Sequence, residues 1–187
     1  MTLFEYLGVL ISIILSFGII RLLDGIPSAF ARDRGYWVHG TWVILMLWLH
    51  VQYWWAFWSY KEVTWNYPKF VLALGVPLLI YSLAITVVPR DASGVASWRE
   101  HFYGIRVRFF SLYACWTALT ALQAWLVLEQ AFFTPLRLGQ GLFVVLCVIG
   151  AMFGQPAFQG LLAVLNVAVA IWFVTSVFIQ QAPLVNG

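Results

Sequence analysis

The sequence predicts an all-α integral membrane protein with six transmembrane helices, short loops and no soluble domain, and three observations carry that expectation. First, 63% of its 187 residues are hydrophobic and 9% are charged, with a mean hydropathy of +0.90; soluble domains hold about 45–50% apolar and about 25% charged residues. Second, six apolar stretches approach the roughly 20 residues that a helix needs to cross a hydrocarbon core about 30 Å thick. Third, the apolar–polar alternation of a membrane β-strand is absent, which leaves helices to keep every backbone N–H and C=O paired in lipid. The same composition excludes a soluble globular domain, a disordered chain and a secreted disulfide scaffold.

The first stretch, 2–23, has no basic segment ahead of its apolar core and no A-x-A-like site before Arg21 and Asp24. It is expected to be a membrane helix, not a cleaved signal. The second, 37–60, is the most aromatic. The third, 70–88, contains Pro77 within Gly75-Val76-Pro77, which removes a backbone donor and frees a carbonyl. The fourth, 107–130, follows the longest connection, 89–106, which is too short for an independent domain. The fifth, 138–154, is short, begins just after Pro135 and Arg137, and ends on Gly150-x-x-x-Gly154. The sixth, 158–179, follows the Gln155-Pro156 turn and carries Gly160, Ala163 and Ala170, small residues that favour close helix approach. Residues 1–187 thus form one polytopic domain. With three helices in each half an internal repeat would be inverted, although the halves show no residue-level match.

Charge orients the bundle. Arg21, Arg32 and Arg34 flank the first connection, and Arg90, Arg99, Arg106 and Arg108 flank the third; the opposite side holds Lys61, Lys69 and Arg137. The positive-inside rule places the first and third connections in the cytoplasm and both termini outside. A net charge of +3 and a pI near 9.0 accordingly reflect topology and attraction to anionic headgroups. No basic stripe with interleaved aromatics faces water, so no nucleic-acid partner is expected.

Polar side chains inside spans mark either functional sites or interhelical contacts. Glu5, Gly8, Ser12 and Ser16 recur every three or four residues on the first helix and form one stripe, read as a small-residue seam with Glu5 at the outer rim. His39 and His50 lie eleven residues apart, about three turns, and share a face of the second helix. His50 falls near mid-span, as do Ser12, Tyr81, Cys115, Cys147 and Asn166 on the other five helices, a depth at which polar groups can line a common cavity. His50, Cys115 and Cys147 are metal-ligand types without ligand spacing. No c-type haem attachment sequence, nucleophile elbow, H-E-x-x-H or phosphate-cradling loop is present. No cofactor or metal is therefore expected, and the chain leans away from catalysis.

Seven of the eleven tryptophans fall between Trp37 and Trp65, in keeping with an outer aromatic belt. Trp48 and Trp55 share a helical face with Thr41, Gln52 and Ser59, whereas Phe57 shares the His39/His50 face. With Trp54 and Trp58 they compose an aromatic face suited to a pigment, a quinone, an apolar tail or a subunit contact. Gln159 and Asn166 share a face of the sixth helix and are expected to hydrogen-bond across helices.

The opening Leu3-Phe4-Glu5-Tyr6 with Val9-Leu10-Ile11-Ser12-Ile13-Ile14-Leu15, and Tyr36-Trp37-Val38-His39 with Val51-Gln52-Tyr53-Trp54-Trp55, resemble an uncharacterised family of small six-helix bacterial inner-membrane proteins. The resemblance covers the first third of the chain. It implies a multi-pass protein of the bacterial inner membrane and transfers no activity or residue role.

Two functions follow as expectations. One is a homo-oligomeric channel or small-solute transporter, with Glu5 at the outer mouth, Ser12, His50 and Gln52 along a polar path, His39 and Arg21 near the cytoplasmic exit, and Asn166 as a further candidate. The other is a non-catalytic accessory subunit or sensor in a larger membrane complex. An intramembrane redox or cofactor-binding protein stands third.

Overall fold

In the computed structural model the described residues are 2–181, and among them every regular element is helical. Six α-helices follow one another: α1 (Leu3–Ala29), α2 (Trp37–Ala56), α3 (Tyr67–Val87), α4 (Trp98–Leu126), α5 (Pro135–Met152) and α6 (Pro156–Gln181). A 3-10 turn, Phe57–Tyr60, continues α2. Five of the six are long and apolar enough to cross a membrane, α6 through Pro156–Thr175. The remaining one, α2, has the length but is diluted by His39, His50, Gln52 and its aromatic residues. Ten of its twenty residues are buried, because its neighbours shield it.

The helices run past the apolar stretches that announced them. α1 continues through Pro27 to Ala29, and α4 begins at Trp98, nine residues ahead of the expected start. Apolar windows mark depth in lipid, whereas helix ends are set by caps. Side-chain oxygens of Thr2, Asn66, Ser97 and Thr134 each accept a first-turn N–H and occupy donors that have no intrahelical acceptor. Thr2 and Glu5 form a reciprocal capping box, with Glu5 Oε2 accepting the Thr2 N–H at 2.8 Å.

Helices α1 to α4 pack on one another and form the central body; α5 lies along α4, α6 lies along α2, and α5 and α6 touch each other little beyond their shared elbow. Trp42 of α2 sits at the centre, its ring edge-on to Phe109, Phe110 and Tyr113 of α4. The α1–α2 and α3–α4 connections lie at one end and are tied together. Trp98 N–H donates to the Arg34 carbonyl at 3.1 Å, and Arg34 Nη1 donates to the carbonyls of Ser93 and Val95. At the opposite end Lys69 Nζ meets Glu129 Oε1 at 2.8 Å.

That ammonium, by hydrogen bond and by charge, holds the Glu129 carboxyl below its ordinary value. A depressed carboxyl adds stability above its unfolded-state pKa and loses it as pH falls through the folded one. Because Glu129 is fully solvated, the effect is local. Lys69→Met is expected to return the Glu129 titration upward to the ordinary glutamate range in a pH series of carbon NMR spectra. An unchanged titration would assign the shift elsewhere.

The expected seam of α1 is displaced. Its buried line runs Leu7, Ile11, Leu15, Gly18, Leu22, Gly25 and Ala29, while Gly8 and Ser12 are half-buried and Ser16 is exposed. The close approaches occur at Gly18, where a Cβ would fall on the His50 ring, and at Gly25, where it would lie 2.5 Å from Val88 Cγ2. The Glu5/Gly8/Ser12/Ser16 stripe is therefore not the main seam, because those residues stand about a third of a turn to one side of it.

Pro77 does not interrupt α3, which is helical from Tyr67 to Val87. Proline leaves the carbonyl four residues back without its N–H donor and strains the turn around it. Here the Ala73 carbonyl accepts from Tyr53 Oη at 3.3 Å, and the neighbouring Leu72 carbonyl accepts from Gln123 Nε2 at 2.5 Å. Gln123 Oε1 in turn accepts from Tyr60 Oη at 2.7 Å. α2, the 3-10 turn, α3 and α4 thus meet in one buried polar hub.

Candidate functional site

His50 is fully buried. Its Nδ1–H donates to the Met46 carbonyl at 2.7 Å, which fixes the lone pair on Nε2 if the ring is neutral. That Nε2 has no hydrogen-bond partner among the described residues and lies against α1 at Gly18. The absence of a side chain at Gly18 makes room for the imidazole.

None of the other mid-depth residues hydrogen-bonds to it. Ser12 Oγ donates back to the Gly8 carbonyl at 2.6 Å, Ser16 Oγ to Ser12 at 2.7 Å, and Asn166 Nδ2 to Leu162 at 2.9 Å. Each is spent on its own helix, the i−4 pattern of hydroxyls and amides in apolar surroundings. Cys115 is exposed, Cys147 is buried, and neither is in a disulfide. Gln52 is half-buried. Arg21 reaches the Pro89 carbonyl with Nη1 at 3.5 Å.

His39 belongs to a different cluster. It is fully buried, stacked on Trp98 at 4.6 Å between ring centroids and edge-on to His101 at 5.6 Å. Neither ring nitrogen of His39 has a hydrogen-bond partner among the described residues. His101 Nε2–H donates to the Val87 carbonyl at 3.2 Å. Trp98 Nε1–H donates to Ser28 Oγ at 3.1 Å, and the Ser28 hydroxyl donates on to the Ala92 carbonyl at 3.0 Å. His39 and His50 thus share a helical face but face different helices, α4 and α1, about 16 Å apart along the axis by the helical rise. Two histidines fall short of a metal's usual ligand set, and the described residues contain no group of three or more His, Cys, Asp or Glu positioned for one.

Trp98 and His101 lie ahead of the apolar window of the fourth span, where hydropathy does not mark them as part of a helix. The signal that finds them is Trp98-x-x-His101-Phe102, whose i, i+3, i+4 spacing continues the buried face of α4 through Phe109. Nothing in the sequence pairs Gln123 with Tyr60, because a lone amide and a lone phenol 63 residues apart carry no spacing that identifies a partner.

The aromatic face divides at Ala56. Tighter winding of the 3-10 turn buries Phe57 and Tyr60, with Phe57 stacked on Phe4 at 4.8 Å, and takes Ser59 off the α2 face. Trp54, Trp55 and Trp58 are exposed, as rings at a membrane–water boundary are. Lys61 Nζ lies 5.3 Å from the Trp58 ring centroid. Trp48 is half-buried and edge-on to Phe173 of α6. With Phe30, Thr41, Ile44, Leu45 and the facing residues of α6 it lines an apolar groove of about 460 Å³ between α2 and α6. His50 does not line this groove, nor the hollow of about 260 Å³ between Ser59, Glu62, Thr64 and residues 127–130.

Gln159 is glue, as its amide chemistry requires: Nε2 donates to the Gly150 and Phe153 carbonyls at 2.8 and 2.7 Å, and pins the α5–α6 elbow. Gly150 packs beneath Phe110 of α4, and Gly160 beneath Trp37 of α2. The small residues of the last two helices seat the elbow on the central body. Compared with family models, curated proteins and solved structures, the chain shows no significant match.

Proposed function

We propose that this is a six-pass protein of the bacterial inner membrane, with both termini outside, acting as a non-catalytic subunit or sensor in a larger membrane complex. The observation that carries the reading is how the intramembrane polar groups are used. Ser12, Ser16, Asn166, Gln123 and Gln159 bond to backbone carbonyls within the chain, and His50 is sealed between α1 and α2. Gln123 and Gln159 hold helices together in this way, whereas Ser12, Ser16 and Asn166 are satisfied within their own helices. What faces outward is apolar surface, notably Leu161, Val169 and Trp172 of α6, suited to lipid or to a partner's helices.

Photocrosslinkers placed at Leu161 and Trp172 in native membranes are expected to capture a distinct membrane protein. Adducts to lipid alone, or only between copies of this chain, would overturn the subunit reading.

Exposure of Glu5 and Ser16 on α1 favours a second reading, a homo-oligomeric channel or small-solute transporter whose path lies between copies. That path would follow Glu5, Ser12 and Ser16 and leave His50 behind the wall of α1. Flux of small ions across liposomes that falls in Glu5→Ala supports it, and absence of flux with the wild-type protein overturns it.

A further inference from the structure

The basic residues of this chain are accounted for, with one exception. Arg21 and Arg34 donate to carbonyls, Arg137 to Gln140 and Gln130, Lys69 to Glu129, and Lys61 rests over Trp58. Arg32, Arg90, Arg99 and Arg108 are exposed to solvent. Arg106 of α4 is half-buried, and among the described residues it makes no hydrogen bond and no ion pair. Its Nε is buried without a partner, while its terminal nitrogens are not sealed off.

Its position is set by the elbow. The guanidinium lies over Gly154, in the space that a side chain there would fill, and Gly154 lies between the end of α5 at Met152 and the start of α6 at Pro156. A helix carries about half a positive charge at its start and about half a negative one at its end, so the two helix ends offset each other here. Among the described residues no carboxylate pairs with the guanidinium. Asp91, the acid of the adjoining α3–α4 connection, is engaged by the Ser93 hydroxyl and the Gly94 N–H, which with Arg34 hold its carboxyl below the ordinary range. Donors removed from water without an acceptor are costly, and the group that matches a guanidinium fork is a planar or tetrahedral oxyanion.

We infer that Arg106, at the α5–α6 elbow, binds a phosphate oxyanion, the headgroup of an anionic phospholipid being its natural source at this depth. The inference rests on the membrane reading above. Seven of the ten basic residues belong to this end of the helices, the end that faces the anionic leaflet in that reading. The fork grips two phosphate oxygens. Gly154 is required because any side chain would displace the guanidinium.

Native mass spectrometry of the purified protein, mixed with equal phosphatidylglycerol and phosphatidylcholine, tests it. Wild type is expected to retain phosphatidylglycerol preferentially, and Arg106→Gln to lose at least about fivefold of that preference, about 1 kcal/mol at RT ln 5. The exposed control Arg108→Gln should retain it. Arg106→Lys, which keeps the charge and loses the fork, serves if the glutamine variant does not fold, and is expected to fall between the two. Displacement of lipid by millimolar inorganic phosphate in the wild type alone supports the same site with a soluble phosphate as its source. Equal retention by Arg106→Gln and wild type, or equal losses from Arg106→Gln and Arg108→Gln, overturns the inference. Extraction of the chain from membranes by alkaline carbonate would instead refute the membrane reading, and is scored separately.

Discussion

Gly18→Ala is expected to destabilise the protein by about 1–3 kcal/mol, the range for forcing a methyl group into a filled core. The Cβ would fall on the His50 imidazole, and that ring cannot swing aside, because it is fully buried and its Nδ1–H is held by the Met46 carbonyl. His50→Ala alone leaves a cavity and also destabilises. The two costs do not add: with the ring gone, the alanine methyl enters vacated space. The Gly18→Ala/His50→Ala double variant should therefore unfold at a milder penalty than the sum of the singles, by more than the 0.3–0.5 kcal/mol or so within which independent sites add. Equilibrium unfolding in detergent measures all three, and strict additivity would mean that α1 and α2 do not meet at Gly18.

Gln123→Leu should cost about 1–3 kcal/mol. The leucine fills similar space but strands the buried Tyr60 hydroxyl, a group worth about that much when left unpaired, while the Leu72 carbonyl loses its second bond and keeps the intrahelical one of α3. Adding Tyr60→Phe to Gln123→Leu should restore part of the loss, because the stranded group is then removed. Pro77 supplies an independent check on the same hub. In Pro77→Ala the new N–H at 77 bonds the Ala73 carbonyl, so Tyr53→Phe, which deprives that carbonyl of its partner in the wild type, should cost less in that background. Equal costs in the two backgrounds would show that Tyr53 does not serve the carbonyl released by proline.

The order and type of the helices were legible because lipid admits few alternatives: apolar runs near 20 residues long can only be helices. Their ends were less so. α4, capped by Ser97, starts nine residues before hydropathy rises, and Ala56 yields to a 3-10 turn within an unbroken aromatic run. Hydropathy integrates over a window, whereas a cap or a change of winding depends on single hydrogen bonds. The site was legible in its ingredients and not in its grouping. Periodicity put His39 and His50 on one face, and they are indeed both buried. It could not say that α1 presents Gly18 to one while α4 presents Trp98 and His101 to the other. The stripe at Glu5, Gly8, Ser12 and Ser16 is small and polar, yet a helix interface needs room opposite the partner's bulk. That requirement selects Gly18 and Gly25, seven residues apart.

The polar hub also has a timetable. A chain is made from its N-terminus, and domains tend to fold in that order. Tyr53, Tyr60 and the carbonyls of Leu72 and Ala73 are all synthesised before their last partner, Gln123, near the end of α4. Until that residue arrives, the Leu72 carbonyl and the Tyr60 hydroxyl await the partner seen in the finished fold. Its arrival closes the four-helix body at a single late step. α5 and α6 then attach to surfaces already complete, one on α4 and one on α2. Pulse-labelled chains halted just before Gln123 should thus remain protease-sensitive, whereas chains halted a few residues beyond α4 become resistant.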